Sequence, residues 1–205
     1  MVVFGGFAKT FKNPKACSMD LFSYLSYPGL SVGTKLPQGW ELKECTAYDY
    51  WELAQFYNCR SGGMMIDALF SNRMEPECRP LEEMYNKSGF FRKWETYALS
   101  HQGELYAVFI VNQSNLGLNL SELTNGIKVI VTKPESLSWN TLSIVVAQLT
   151  GTFKMEKVPI LIYPFDYVQA QHIPYDKKYQ LWILDVNYGS DYINYVQKKF
   201  KMAYH

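Results

Sequence analysis

The sequence predicts an α/β (α+β) fold: a mixed, mostly antiparallel sheet with flanking helices and one parallel crossover between its fourth and fifth strands. Three observations carry this. Two aromatic, apolar runs, KWETYALS and ELYAVFIVN, are joined by His101-Gln102-Gly103, a link short enough for an antiparallel hairpin. Two further apolar runs, GIKVIVTK and VPILIYP, flank a stretch with apolar residues at helical spacing, and a strand, a helix and a strand in that order make a right-handed parallel crossover. The near-continuous apolarity of VPILIYP is the pattern of a strand covered by helices on both faces.

The elements follow in order. WELKECT alternates like a strand, and Thr46 is placed to cap a helix in which Tyr50, Leu53, Ala54 and Tyr57 recur at helical spacing. The chain breaks at Ser61-Gly62-Gly63, and MMIDALF predicts a second short helix. Two prolines and many charges between Asn72 and Gly89 predict a loop that carries a short helix around Glu82 to Asn86. After the hairpin and the polar QSNLGLNLSELTN comes GIKVIVTK, then a helix over about Leu137 to Phe153 with Trp139, Leu142, Val146, Leu149 and Phe153 on one stripe. FDYVQAQHI predicts a short helix, KYQLWILDV a strand, and SDYINYVQKKF a terminal helix.

Residues 36–205 account for this domain. Residues 1–35 read as an N-terminal arm, punctuated by Gly5-Gly6, Pro14, Pro28, Gly29 and Gly33. The apolar patch of that arm, MDLFSYLSY, is helical in pattern and too short to fold alone. It is expected to pack on its own domain or on a neighbouring copy, which leaves a homodimer open.

Composition narrows the function classes. The 205 residues and 48% apolar content suit a single core, and a formal net charge of +1 without a basic block argues against nucleic-acid binding. No apolar run approaches the ~20 residues of a membrane span and no signal-peptide pattern opens the chain, so a cytoplasmic protein is expected. Cys17, Cys45, Cys59 and Cys78 are scattered and read as reduced thiols. They and the three histidines lack metal-ligand spacing, so no metal is expected.

From about Trp40 to Val186 this element order resembles the GNAT-type acyltransferase superfamily, whose mixed sheet splays between its fourth and fifth strands to admit a coenzyme A thioester. SGGMMIDAL and GLNLSELTNGIKV are also similar to the GNAT-like domains of bacterial PilZ-associated proteins. The resemblance implies an acyltransferase that moves an acyl group from acetyl-CoA or another acyl-CoA, or an aminoacyl group, to a small-molecule or peptide amine. The alternative is a degenerate, non-catalytic ligand- or partner-binding module of a bacterial signalling protein.

The resemblance also places a cofactor loop at the turn after the fourth strand, where Val131, Thr132, Lys133, Ser136 and Ser138 would meet the pyrophosphate. The family's glycines are missing there: the turn is TKPESLSW, in which Pro134 has no N–H and Glu135 is negative. Two readings stand. The hydroxyls and Lys133 can substitute for backbone donors, or Ser136 or Ser138 caps a helix whose positive end Glu135 favours. The residues favour the helix start, with cofactor binding weakened, altered or absent.

For the acid that protonates the leaving thiolate, the resemblance points to Tyr175 first and Tyr167 second. On the acceptor side it implies Ser61, Gly62, Gly63 and Asp67. Asn112 opens NQSNLG, which fits the second half of the PilZ dinucleotide pattern, although the pair of arginines that should precede it is missing.

Overall fold

A computed structural model describes residues 2–11, 17–28, 35–60, 79–115 and 125–203. The predicted helix MMIDALF, with Ser61, Gly62, Gly63 and Asp67, lies outside them.

Seven strands form one mixed sheet: β1 (Cys17–Pro28), β2 (Trp40–Glu44), β3 (Arg92–His101), β4 (Glu104–Ser114), β5 (Gly126–Val131), β6 (Lys157–Tyr163) and β7 (Lys177–Leu184), in the order β2-β3-β4-β5-β6-β1-β7. The helices are α1 (Val2–Phe11), α2 (Ala47–Arg60), α3 (Arg79–Lys87), α4 (Trp139–Thr150), α5 (Phe165–Ala170) and α6 (Gly189–Ala203). None is long and apolar enough to cross a membrane.

The described residues divide into two compact units, with boundaries that pass through β1, α2 and β7. The larger comprises Leu21–Leu53 and Arg73–Tyr179. Its hairpin turns at Gln102 and Gly103, both at positive φ (54° and 83°), the conformation of a tight turn between twisted strands. The predicted crossover is present: β5 and β6 are neighbouring parallel strands, with Ile127 opposite Ile160 and Ile130 opposite Tyr163, joined through α4. Because β1 precedes the rest, the crossover joins the fifth and sixth strands of the chain.

Cross-strand register sorts the side chains. Tyr97, Phe109, Val129 and Ile162 share one row, as do Val111, Ile127, Ile160 and Leu25. With Leu142, Val145, Val146 and Leu149 of α4 they make the main core. The two ends of the predicted stripe, Trp139 and Phe153, are only partly buried against it. On the opposite face the Tyr50 hydroxyl of α2 meets Thr96 Oγ1 at 2.5 Å. Thr46 caps α2 as its sequence predicts, exchanging hydrogen bonds with Asp49.

The MDLFSYLSY patch is a strand, which corrects the helical expectation. Ser23 to Pro28 pair antiparallel with Ile162 to Lys157, inside the sheet. Most of β1 is buried, on side chains of both parities, so it lacks the polar alternation that marks a strand with one wet face.

In the smaller unit (Met1–Asp20, Ala54–Asn72 and Gln180–His205) Gly5-Gly6 lies within a helix rather than ending one. A Cβ at Gly6 would collide with the Tyr195 hydroxyl, and one at Gly5 would touch Trp182. The two glycines let α1 lie close to a cluster in which Phe4 meets Trp182 at 4.5 Å and Phe7 meets Tyr192 at 5.3 Å.

Candidate functional site

The carboxyl ends of β5 and β6 bring together two of the expected site segments, the turn 131–138 and the helix α5. Their meeting point is the Trp139 N–H, which donates to Gln171 Oε1 at 3.0 Å.

The turn spends its donors on itself and its neighbours. Thr132 N–H donates to Tyr106 O at 2.9 Å, and its hydroxyl to Leu105 O at 2.9 Å. Ser136 and Leu137 N–H both donate to Lys133 O at 3.1 Å. Ser138 Oγ accepts from Thr141 N–H at 3.2 Å and is the N-cap of α4, while buried Pro134 and Leu137 anchor the loop. Of the two serines offered as caps, Ser138 takes the role.

Lys133 is engaged as well. Its ammonium pairs with Glu104 and lies 5.0 Å from the centre of the Tyr106 ring. The hydrogen bond from Lys133 holds the Glu104 carboxyl below the usual range. Desolvation raises that of Glu52 on α2, and the charge of Lys133 opposes the rise. A lysine flanked by two carboxylates is a poor phosphate ligand.

These residues therefore make a poor match to the glycine-rich coenzyme A loop that the resemblance implies. A pyrophosphate at this helix start would have to displace the partners of the Trp139 and Thr141 N–H groups. A thioester arm would need a gap between β5 and β6, yet the two strands stay paired as far as Ile130 and Tyr163, one residue short of the end of β5.

The two tyrosines proposed as acids differ. Tyr167 is 1% exposed within the core, its hydroxyl has no hydrogen-bond partner among the described residues, and burial pushes its phenol upward. Tyr175 is 44% exposed and sets its ring edge against Phe165 at 5.3 Å. Neither Cys17 nor Cys45 is a thiolate near neutral pH, since burial pushes the Cys45 thiol up to about 12 and raises that of Cys17. No group of residues among those described could hold a metal ion.

No protein-family model and no curated protein matches the chain. Among solved structures it is similar to a Drosophila protein determined by X-ray crystallography as a structural-genomics target, at 12% identity and a TM-score of 0.45, over 89% of this chain. The chain spans 58% of that protein's length. It is also similar to a functionally unknown conserved protein from Staphylococcus epidermidis, at 8% identity and a TM-score of 0.41, over 88% of this chain and 67% of the other.

At the amino ends of β5 and β6 sequence reasoning singled out only NQSNLG, whose Gln113, Ser114 and Asn115 line a cleft there. This open cleft of about 590 Å³ lies between the end of β4, the start of β5 and the loop after α4. Its polar wall is braced internally: Gln113 Nε2 donates to Thr152 Oγ1 at 2.8 Å, and Asn115 Oδ1 accepts from Phe91 N–H at 2.8 Å. Phe91, Phe153 and Met155 supply apolar surface and Lys154 a cation. The available signal was large apolar residues in loops, since Phe91 precedes β3 and Met155 is 41% exposed. Asn112 is near this end on β4, opposite Trp94 and Gly126, and is 7% exposed. Its Nδ2 has no hydrogen-bond partner among the described residues.

Proposed function

We propose that this chain is a non-catalytic, GNAT-like binding module in which the acyl-CoA position has been closed and a small amphiphilic anion occupies the cleft at the opposite end of the β5/β6 pair. The observation that carries this is the unbroken pairing of β5 with β6 up to Ile130 and Tyr163, where a thioester donor would have to enter. The spent donors of the 132–141 turn support it. For the ligand class, the support is the cleft lining: three large apolar side chains beside Lys154, which has no acidic partner among the described residues.

Thermal melting separates this reading from the acyltransferase reading. A ligand present at a hundredfold its Kd adds about 2.7 kcal/mol of stability, so a bound coenzyme would raise the melting temperature clearly. Coenzyme A and acetyl-CoA are expected to leave it unchanged, whereas a medium-chain carboxylate such as octanoate raises it in a manner that Phe153→Asp abolishes. A coenzyme A shift lost in Lys133→Ala would overturn the proposal and reinstate transfer to an amine, with Tyr175 as the exposed candidate acid.

A further inference from the structure

The two edges of the sheet are protected to different degrees. At one edge, β2 is five residues long and carries Glu41, Lys43 and Glu44. Charges on a short strand are the usual guard against pairing with another chain. At the other edge, β7 is eight residues long, and beyond Lys177 and Lys178 it reads YQLWIL, with no charge, proline or glycine. Every residue from Tyr179 to Leu184 is half-exposed, and no described strand pairs on its outer side.

We infer that β7 pairs antiparallel with β7 of a second copy of this chain, joining two sheets across a twofold axis centred on Leu181. The register follows from geometry and charge. A twofold axis perpendicular to the sheet keeps each face on its own side, so opposite residues must have the same parity. Centring on Leu181 sets Lys177, at the start of the strand, opposite Asp185, just past its end. The same register sets Tyr179 opposite Ile183 on one face, an aromatic and β-branched pair of the kind that stabilises strand pairing, and Gln180 opposite Trp182 on the other. Centring one residue earlier would set Lys177 against Ile183 and leave Asp185 without a cation. The strand is thus complementary to itself in both charge and side-chain type over its length, whereas β2, centred on Leu42, would set Glu41 against Lys43 but Glu44 against Trp40, over only five residues.

The intact chain is expected to sediment as a dimer at about 100 µM, well above the Kd of a micromolar dimer. Leu181→Lys, which sets two ammonium groups face to face, should return it to a monomer while leaving its circular dichroism unchanged. Cysteine scanning reads the register without burdening the fold, because directly opposed Cα atoms lie about 4.5–5.5 Å apart, within disulfide range. Oxidised Leu181→Cys should cross-link to itself. Gln180→Cys should not, and Tyr179→Cys should cross-link only when mixed with Ile183→Cys; the parent chain, with its native cysteines, is the control. A monomer at that concentration overturns the inference. So does a dimer that survives Leu181→Lys, or one in which Leu181→Cys fails to cross-link.

Discussion

At the carboxyl ends of β5 and β6 the N–H groups of Thr132, Ser136 and Leu137, the Lys133 ammonium and Ser138 Oγ already have internal partners, and Leu137 and Pro134 are buried beneath the turn. At the amino ends of the same two strands, Phe91 and Phe153 line an open cleft. The difference lies in the connections rather than in the strands. The link at the closed end is a seven-residue turn, 132–138, whose Thr132, Ser136 and Leu137 N–H groups donate to Tyr106 and Lys133 carbonyls and whose last residue, Ser138, caps α4. At the open end, β4 and β5 are separated by the longer 115–125 link, and the 151–156 link follows the carboxyl end of α4, whose last carbonyls accept from Gly151, Thr152 and Phe153 N–H. A single crossover can therefore close one end of a parallel pair and leave the other available.

The largest expected effect tests the closed end. Leu137→Ala removes a side chain that is almost fully buried under the turn and should cost ~2–5 kcal/mol in equilibrium denaturation. A loss well below ~1 kcal/mol would mean that the turn is not held shut by packing. The open end has its own rigid point, since a Cβ at Gly126 would collide with the carbonyl oxygen of Pro159 on β6. Gly126→Ala should cost ~1–3 kcal/mol, because backbone cannot step aside. An unchanged denaturation midpoint would show that β5 and β6 separate freely at the cleft.

Removing the cap with Ser138→Ala should cost ~1 kcal/mol. If the same variant gained affinity for coenzyme A, the released Thr141 N–H would be serving the phosphate after all. The smallest effect is at Tyr167. Deleting its unpartnered hydroxyl in Tyr167→Phe should be neutral or stabilising by up to ~1 kcal/mol at pH 7.

The pH dependence of Tyr167 has a defined sign. Its folded phenol titrates above the ordinary value of 10.0, so the unfolded chain releases that proton first. The stability it contributes is whole below pH 10 and is lost as pH rises from there through the folded value. Tyr167→Phe should flatten this alkaline loss in pH-dependent melting. An identical alkaline profile would assign the loss to the other phenols and thiols raised by burial, those of Tyr27, Tyr50 and Tyr97 and of Cys17 and Cys45.

What sequence could and could not supply follows from the range of the forces involved. The hairpin at Gln102-Gly103, the Thr46 and Ser138 caps, and the order from β2 to α6 depend on contacts within a few residues, which leave their pattern in the chain. The crossover was legible because two apolar runs with a helical stripe between them admit few arrangements. The 19–27 patch was misread because β1 is buried on both faces, and with no wet side its apolar residues fit a helical period as well as a strand. Gly5-Gly6 looked like a break because nothing local to it reveals the Tyr195 and Trp182 side chains that require its bareness. The absence of glycines in TKPESLSW already marked the turn as a weak cofactor loop. That β5 and β6 remain paired beside it, that Gln171 takes the Trp139 N–H, and that a cleft opens at the far end were decided by tertiary packing alone. Each rests on residues far apart in the chain, whose meeting depends on how the whole sheet and α4 pack together.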